Sequence, residues 1–246
     1  MGYHESLTEG RNAVLEAFRS GKTVDRLFVL DGCQDGPVKT ILREAKKQDT
    51  MVQYVKKERL DQLSETKNHQ GVIAYCAACE YAEVSDILEN AKKKGEAPFI
   101  VLLDGIEDPH NLGAIIRTAN QAGAHGVIIQ KRRAVGLTAT VARTSAGAVN
   151  YTPVAKVTNL VTVMEDLKKE GMWFVCADMD GEEMYSLNLK GPIGLVIGNE
   201  GEGVSRLVKE HCDMVASIPM KGDIDSLNAS VAMGVLAYEI VRQRRF

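Results

Sequence analysis

A polar segment at residues 104–113, DGIEDPHNLG, follows an apolar run and leads toward Arg117. Ligands of open α/β sheets bind at the carboxyl ends of strands, and this loop has that position. Asn111 is either a simple cap of the next helix or part of a ligand site. Arg117 lies in an otherwise apolar helical stretch, so we expect it to pair with an acidic side chain or a phosphate.

A glycine-rich segment at residues 198–203, GNEGEG, lies between a predicted strand and a predicted helix. Such turns let a ligand approach the backbone closely. Its glycine order differs from that of dinucleotide-binding loops. Glu200 and Glu202 would also repel a pyrophosphate. The segment therefore disfavours a nicotinamide cofactor and favours a cofactor with a positive centre.

A third polar segment begins at Ile218 and leads into the last predicted helix. Ser226 is either the cap of that helix or a site residue. Ser226 and Asn228 flank Leu227 on a helix that then becomes wholly apolar. This arrangement indicates that the two polar side chains line a site.

A basic patch follows another predicted strand and consists of Lys131, Arg132 and Arg133, with Arg143 shortly after. It is either a solvated loop or a phosphate-binding surface, and the sequence leaves both open. Cys76 and Cys79 have the spacing of metal ligands. A structural zinc site needs four ligands, however, so we predict no metal.

The composition sets limits on the class of protein. The 246 residues are 45% hydrophobic and 26% charged, which is typical of a globular chain. A net charge of −3 gives no general reason to expect nucleic acid, so any such site must be local. Five irregularly spaced cysteines suit reduced thiols. With no signal peptide and no long apolar stretch, we expect a cytoplasmic protein without a membrane partner.

The elements that must position these residues form three regions. The pattern of residues 1–80 predicts a compact mixed α/β unit. Residues 81–98 are expected to be a linker, with a short helix that Ser85 could cap and an exposed end over residues 92–98, which are rich in charge, glycine and proline. Residues 99–246 alternate between strand and helix patterns, which predicts a mostly parallel sheet with helices on both faces.

Three helix predictions bear on the site. One helix is expected over residues 8–20 with Thr8 as its cap, and another over residues 157–170. The last helix, over residues 226–242, is apolar around most of its circumference. It is therefore expected to be buried, in its own domain or partly against a second subunit.

The three polar segments, taken in this order, resemble the SpoU (TrmH-like) branch of the SPOUT RNA methyltransferases over residues 98–246. Residues 1–80 resemble the small RNA-binding domain that precedes that catalytic domain, notably in RNAV at residues 11–14 and HQGVIA at residues 69–74. The resemblance is strongest to bacterial 23S rRNA (guanosine-2′-O)-methyltransferases.

This resemblance implies a deep trefoil knot in the C-terminal part, S-adenosylmethionine as cofactor, a homodimer, and rRNA rather than DNA as partner. It implies main-chain cofactor contacts at Gly198, Ile218 and Leu227. The catalytic positions that it implies are Asn111, Arg117, Glu200, Ser226 and Asn228. The RNA-binding residues that we predict are Arg11, Lys131, Arg132, Arg133 and Arg143.

The implied reaction is attack of a ribose 2′-hydroxyl on the sulfonium methyl group. The resemblance makes Arg117 the base, but a guanidinium with a pKa above ~12 resists deprotonation. We therefore expect Arg117 to clamp the target phosphate and stabilise the developing alkoxide. Glu200 either holds Arg117 or accepts a proton. The alternatives are a tRNA ribose methyltransferase, a non-catalytic RNA-binding ribosome-assembly protein and, less favoured, a nicotinamide enzyme.

Overall fold

The computed structural model describes residues 6–224 and 226–245, and the chain divides into two compact units. Unit 1 comprises the described residues up to Glu80 together with Gly136–Ala139. Unit 2 comprises Tyr81–Val135 and the described residues from Thr140 onward.

Unit 1 is a four-stranded sheet with helices on both faces. Its elements are β1 (Ser6–Glu9), α1 (Arg11–Arg19), β2 (Val24–Leu30), α2 (Gly36–Lys47), β3 (Met51–Val55), α3 (Lys57–Leu63) and β4 (Val72–Cys76). The strand order is β1-β4-β2-β3; β4 runs antiparallel to both of its neighbours, and β3 runs parallel to β2. Apolar side chains of α1 and α2 form one core cluster with the sheet, and Leu60 of α3 packs with Phe28 and Ile73 in another.

The predicted helix over residues 8–20 is too long at its start. Thr8 belongs to β1, where it pairs with Ala74, and α1 begins only at Arg11. Gly10 separates the two elements with a φ of 88°, a left-handed backbone conformation that favours glycine. Thr8 is therefore a strand residue, and its prediction as a helix cap is wrong.

Unit 2 is a six-stranded, fully parallel sheet with the order β10-β8-β9-β5-β6-β7, which confirms the predicted α/β class. The strands are β5 (Phe99–Asp104), β6 (Gly126–Gln130), β7 (Val154–Val157), β8 (Trp173–Glu183), β9 (Ile193–Gly198) and β10 (Met214–Ser217). The helices are α4 (Val84–Lys94), α5 (Pro109–Gln121), α6 (Ala139–Thr144), α7 (Leu160–Lys169), α8 (Arg206–Glu210) and α9 (Ala229–Arg245).

Helices cover both faces of this sheet. On β5, Ile100 and Leu102 join a core cluster with residues of α4, α7 and α8. Val101 and Leu103 point to the opposite face and are also fully buried. On that face α5 and α9 pack against each other, α5 against β6, and α9 against β9.

The strand order brings two of the polar loops together. From β5 the chain proceeds to β6 and β7 on one side, and it returns to β8 and β9 on the other. The loops after β5 and β9 are therefore neighbours at the carboxyl edge, at a switch point of the kind that binds ligands in open α/β sheets. The trefoil knot stays a prediction.

Segment 81–98, expected to be a linker, contains α4, whose Ile87 and Ala91 are buried. A Cβ atom on Gly126 would lie 2.5–2.7 Å from three carbons of Ile87, so helix and sheet are in close contact. The predicted short helix is present, but Glu83 rather than Ser85 precedes its first residue, and residues 92–97 at its end are exposed as expected. The predicted domain boundaries themselves stay a prediction.

Two further helix predictions need correction. Residues 157–170 divide between the end of β7 and α7, because the Asn159 side chain accepts hydrogen bonds from Val161 and Thr162 N–H and starts the helix there. Helix α9 begins at Ala229 rather than Ser226, and it is not buried in its own domain alone, since Val231 and Tyr238 are 49% and 52% exposed. Its burial partly against a second subunit stays a prediction.

Candidate functional site

Three side chains from distant parts of the chain form a hydrogen-bonded cluster at the carboxyl edge of the unit 2 sheet. The Asn111 amide donates to Glu200 Oε1 at 3.0 Å, and the Asn228 amide donates to Asn111 Oδ1 at 2.9 Å. Asn228 also donates to Glu200 Oε1, and Ala229 N–H lies 3.4 Å from the same oxygen. The carboxylate thus joins the N-terminal ends of α5 and α9, where helix dipoles favour negative charge.

Asn111 is available for this cluster because another residue caps α5. The Asp108 side chain accepts a hydrogen bond from His110 N–H at 3.0 Å, and Pro109 is the first helical residue. Asn111 follows inside the first turn and is 7% exposed. Its interpretation as a simple helix cap is therefore wrong.

Asn228, rather than Ser226, caps α9. Its Oδ1 accepts hydrogen bonds from Ser230 N–H at 3.0 Å and from the Ser230 hydroxyl at 2.6 Å. Its side-chain nitrogen meanwhile donates to the cluster. Ser226 is exposed and lies on the wall of the cavity beside the cluster.

The glycine-rich loop after β9 is a tight turn that tolerates no side chain at its first position. Asn199 and Gly203 exchange two backbone hydrogen bonds, of 3.1 and 2.8 Å. A Cβ atom on Gly198 would lie 2.1–2.2 Å from backbone atoms of Gly203 and Val204, so only glycine fits. The Asn199 side chain donates to Gly105 O at 2.8 Å and ties this loop to the loop after β5.

A cavity of about 690 Å³ opens beside this loop, between the ends of β8, β9 and β10 and the start of α9. This volume is in the range of small-molecule sites. Gly198, Ile218 and Leu227, from three separate segments, all lie on its wall. The structure thus places the three predicted cofactor-binding positions around one space.

The cavity wall is strongly acidic. Besides Glu200 and Glu202 it carries Asp178 and Glu183, and Asp178 pairs with Lys209 at 2.7 Å. Burial raises the pKa of Asp178, but the hydrogen bond and charge of Lys209 outweigh it and hold that pKa below its usual value. The same hydrogen bond raises the pKa of Lys209. The remaining carboxylates favour a ligand with a positive centre.

Sequence reasoning missed Asp178 and Glu183. Strand β8 continues past its buried part to Glu183, and this extension borders the cavity. The acidic run DMDGEE at residues 178–183 was the available signal, because such a run directly after a buried strand has no use in a core.

Arg117 lies apart from the cluster. It follows Asn111 by six residues, which places its Cα about 9 Å farther along the axis of α5. It is exposed rather than enclosed by apolar side chains, and it forms no ion pair within residues 6–224 and 226–245. The predicted pairing with an acidic side chain is therefore absent there, and amides rather than Arg117 hold Glu200.

The predicted basic patch adjoins the site at the carboxyl edge. Lys131 is half-buried after β6, and Arg132 and Arg133 are exposed. A Cβ atom on Gly105 would lie 3.9 Å from Arg133 O, so this turn borders the loop after β5. Arg143 is exposed on α6.

Arg11, predicted to bind RNA, is already engaged within unit 1. Its guanidinium pairs with Asp35 at 2.5 Å and donates to Gln70 O at 3.1 Å. Its backbone N–H donates to the Gln70 side chain at 3.2 Å. These contacts join the start of α1 to the start of α2 and to the loop before β4, and a direct RNA contact of Arg11 stays a prediction.

Across the described part of the chain, no helix has the length and apolar character needed to cross a membrane. The same residues contain no group of three or more side chains arranged to hold a metal ion.

Two family models match the chain. Residues 98–238 match the SpoU rRNA Methylase family, and residues 7–82 match a domain described as RNA 2′-O ribose methyltransferase substrate binding. The YacO protein of Bacillus subtilis (strain 168), named as a member of the TrmH family of tRNA/rRNA methyltransferases, is 48% identical over 237 residues. The match covers 96% of this chain and 94% of YacO.

Solved structures show the same likeness. The SpoU methyltransferase AviRb from Streptomyces viridochromogenes, in complex with the cofactor AdoMet, is 27% identical with a TM-score of 0.62, covering 98% of this chain and 91% of AviRb. The TrmH/SpoU tRNA modifying enzyme of A. aeolicus is 28% identical with a TM-score of 0.56, covering 65% of this chain and 84% of that enzyme. The chain belongs to the SpoU family of RNA 2′-O-methyltransferases, with a substrate-binding domain ahead of the methylase domain.

Proposed function

We propose that this chain transfers a methyl group from S-adenosylmethionine to a ribose 2′-hydroxyl of ribosomal RNA. The observation that carries the proposal is the acidic cavity beside the Asn111–Glu200–Asn228 cluster. A sulfonium centre is positive, and it suits this wall better than a pyrophosphate would. The AdoMet complex of AviRb, a structural neighbour over 98% of this chain, supports the same cofactor.

The cavity residues fit this cofactor. Gly198, Ile218 and Leu227 would hold its adenosyl part through main-chain groups, and the carboxylates would face its charged end. When bound, S-adenosylmethionine supplies an activated methyl group, so the protein mainly has to orient the reactants and exclude water.

Glu200 is our candidate for the proton acceptor. Its hydrogen bonds from Asn111, Asn228 and Ala229 all go to Oε1. Oε2 accepts none from the residues that the structure describes, and it remains open to a ribose hydroxyl. Asn111 and Asn228 then act as positioning residues that fix the carboxylate, and Ser226 lies near enough on the cavity wall to contact the ribose.

Arg117 would act on the RNA as a phosphate clamp. Its exposed guanidinium is suited to a bidentate phosphate contact, which also stabilises the charge that develops on the attacking oxygen. The exposed basic side chains Arg132, Arg133 and Arg143 would extend this positive surface.

A homodimer is part of the proposal. Helix α9 leaves two large apolar side chains, Val231 and Tyr238, about half exposed, and a second copy of the chain would cover them. Such an interface would bring the site of one copy toward the α5–α9 pair of the other.

Large-subunit rRNA, at a guanosine, is the substrate that we propose. The methylase-domain model is that of an rRNA methylase family, and a separate substrate-binding domain precedes it. The A. aeolicus tRNA enzyme covers only 65% of this chain, so it offers no counterpart for about a third of it. A tRNA substrate is the second candidate, because YacO carries both RNA classes in its name.

The test uses S-adenosylmethionine labelled on its methyl group, with protein-free large-subunit rRNA and tRNA from a strain that lacks this protein. A blocked 2′-hydroxyl prevents alkaline cleavage, so the expected result is label in an alkali-resistant dinucleotide of rRNA that contains guanosine. Glu200→Gln is the matched control and should retain S-adenosylhomocysteine binding without label transfer. Label in tRNA alone would refute the rRNA assignment. Cofactor binding without label in either RNA, or in pre-ribosomal particles, would favour a non-catalytic assembly protein.

A further inference from the structure

One stripe of α5 faces the segment between α6 and β7. Gly113, Arg117 and Asn120 are four and three residues apart, so their side chains share a helix face. A Cβ atom on Gly113 would lie 2.6 Å from the Cβ of Thr144, and the Asn120 amide donates to the Thr152 hydroxyl at 3.0 Å. The segment between these two threonines therefore runs along the stripe past Arg117.

Tyr151 lies in this segment with its backbone held and its ring in solvent. Its N–H and that of Thr152 both donate to Ala148 O at 3.0 Å, in a 3₁₀ turn over Ala148–Asn150 that packs against α5. Thr152 is 2% exposed, whereas Tyr151 is 80% exposed. Among the described residues, Tyr151 is the most exposed of the large hydrophobic side chains.

An exposed aromatic ring, on a segment that packs along the same helix as an exposed guanidinium, is suited to single-stranded RNA. Unpaired RNA bases are recognised by stacking on aromatic side chains, while arginine contacts the backbone phosphates. Aromatic residues make up only 5% of this chain, so few rings are available for such stacking. Because the packed segment links Tyr151 to the Arg117 stripe of α5, RNA that meets Arg117 also comes within reach of this ring.

We propose that Tyr151 stacks on an unpaired base of the RNA substrate, next to the nucleotide whose phosphate Arg117 holds. This inference rests on the proposed function and adds a substrate-binding residue to it. Stacking uses the ring face rather than the hydroxyl, so phenylalanine should replace Tyr151 and alanine should not. The contact would raise affinity for RNA without touching the cofactor.

The test compares wild type, Tyr151→Ala, Tyr151→Phe and Tyr185→Ala. Tyr185 is 60% exposed and follows β8, away from the α5 stripe, so it is the matched control. Dissociation constants for a large-subunit rRNA fragment and for S-adenosylhomocysteine are measured first, and then kcat and KM for methyl transfer. Thermal unfolding checks that each variant is folded.

We expect Tyr151→Ala to raise the Kd and KM for RNA by about 5- to 160-fold, the range for loss of one stacked base. S-adenosylhomocysteine affinity should be unchanged, and Tyr151→Phe and Tyr185→Ala should stay within about twofold of wild type. Unchanged RNA affinity in Tyr151→Ala, or an equal loss in Tyr151→Phe, overturns the inference. Absent methyl transfer by wild type refutes the proposed function alone, because the RNA-binding comparison still decides the role of Tyr151.

Discussion

Substituting Asn111 by aspartate changes one amide nitrogen into an oxygen and leaves the shape of the side chain almost unaltered. That nitrogen donates to Glu200 Oε1 at 3.0 Å. In Asn111→Asp two carboxylate oxygens meet at this distance, on a side chain that is 7% exposed in the wild type. Two carboxylates this close resist joint ionisation, so one pKa of the pair must rise.

The size of the effect follows from the geometry. Two unit charges 3.0 Å apart repel by about 5.5 kcal/mol at an effective dielectric constant of about 20. Because Glu200 is exposed, solvent screening lowers this, and we take about 3 kcal/mol including the lost hydrogen bond. Because this repulsion acts only in the folded state, it raises one carboxyl pKa of the pair above its unfolded value.

The sign of the pH dependence is opposite to that of an ordinary ion-paired carboxylate. A folded-state pKa raised above the unfolded value contributes stability that is present below the unfolded pKa of about 4 and lost as the pH rises through the higher folded-state pKa. Asn111→Asp should therefore unfold close to wild type near pH 4 and be about 3 kcal/mol less stable near pH 7.5. Urea unfolding of both proteins at several pH values measures this difference.

Asn120→Asp is the matched control on the same helix. Asn120 donates to a hydroxyl, that of Thr152, so its replacement should cost stability without a comparable pH dependence. If Asn111→Asp shows the same deficit near pH 4.5 and near pH 7.5, the close Asn111–Glu200 contact is refuted.

Three further outcomes are expected. The pKa of His125 lies below its usual value, chiefly because the ring is buried and also because Lys94 carries a positive charge. The ring Nδ1 accepts a hydrogen bond from Phe99 N–H, and protonation of this nitrogen would prevent that bond. The stability that His125 contributes is therefore present above the unfolded pKa of about 6.5 and lost as the pH falls. In His125→Asn, the unfolding free energy should decrease less steeply than in wild type as the pH falls below about 6.5. An unaltered slope would contradict this role of His125. Gly198→Ala should lose S-adenosylhomocysteine binding in calorimetry and have a lower Tm, because the added Cβ atom has no room. Gly191→Ala is the control: its Cβ atom would meet nothing within 4 Å, so it should match wild type in both measurements. Arg117→Lys should lower kcat without shifting the pH–rate profile; retained activity with a base pKa shifted downward would contradict the phosphate-clamp assignment and favour arginine as base.

Periodicity predicted the main strands of unit 2 because parallel strands buried on both faces are continuous apolar runs. The stretches Phe99–Asp104 and Ile193–Gly198 have this character and are fully buried. The same approach missed β1 and β7, each four residues long, since so short a run has no detectable period. A short helix within residues 81–98 was predicted, but not its burial against the sheet, because its buried stripe is brief.

The site was predicted as a set of loops but not as a set of contacts. The residues that meet in the cluster are separated by 89 and 117 positions along the chain. Sequence spacing also could not show that Asn111 faces inward while Arg117, on the same helix, is exposed. Asp178 and Glu183 join the cavity only because β8 extends past its buried part.

By itself the sequence determined which of the longer apolar segments form strands, where polar residues interrupt them, and that a tight glycine turn at 198–203 disfavours a pyrophosphate. These are local properties, set by apolar periodicity, backbone freedom and charge. Only the tertiary structure decided which loops meet, because many apolar strands can serve as neighbours in a sheet. The order β9-β5-β6 places two polar loops and a basic turn side by side, and this proximity creates the site.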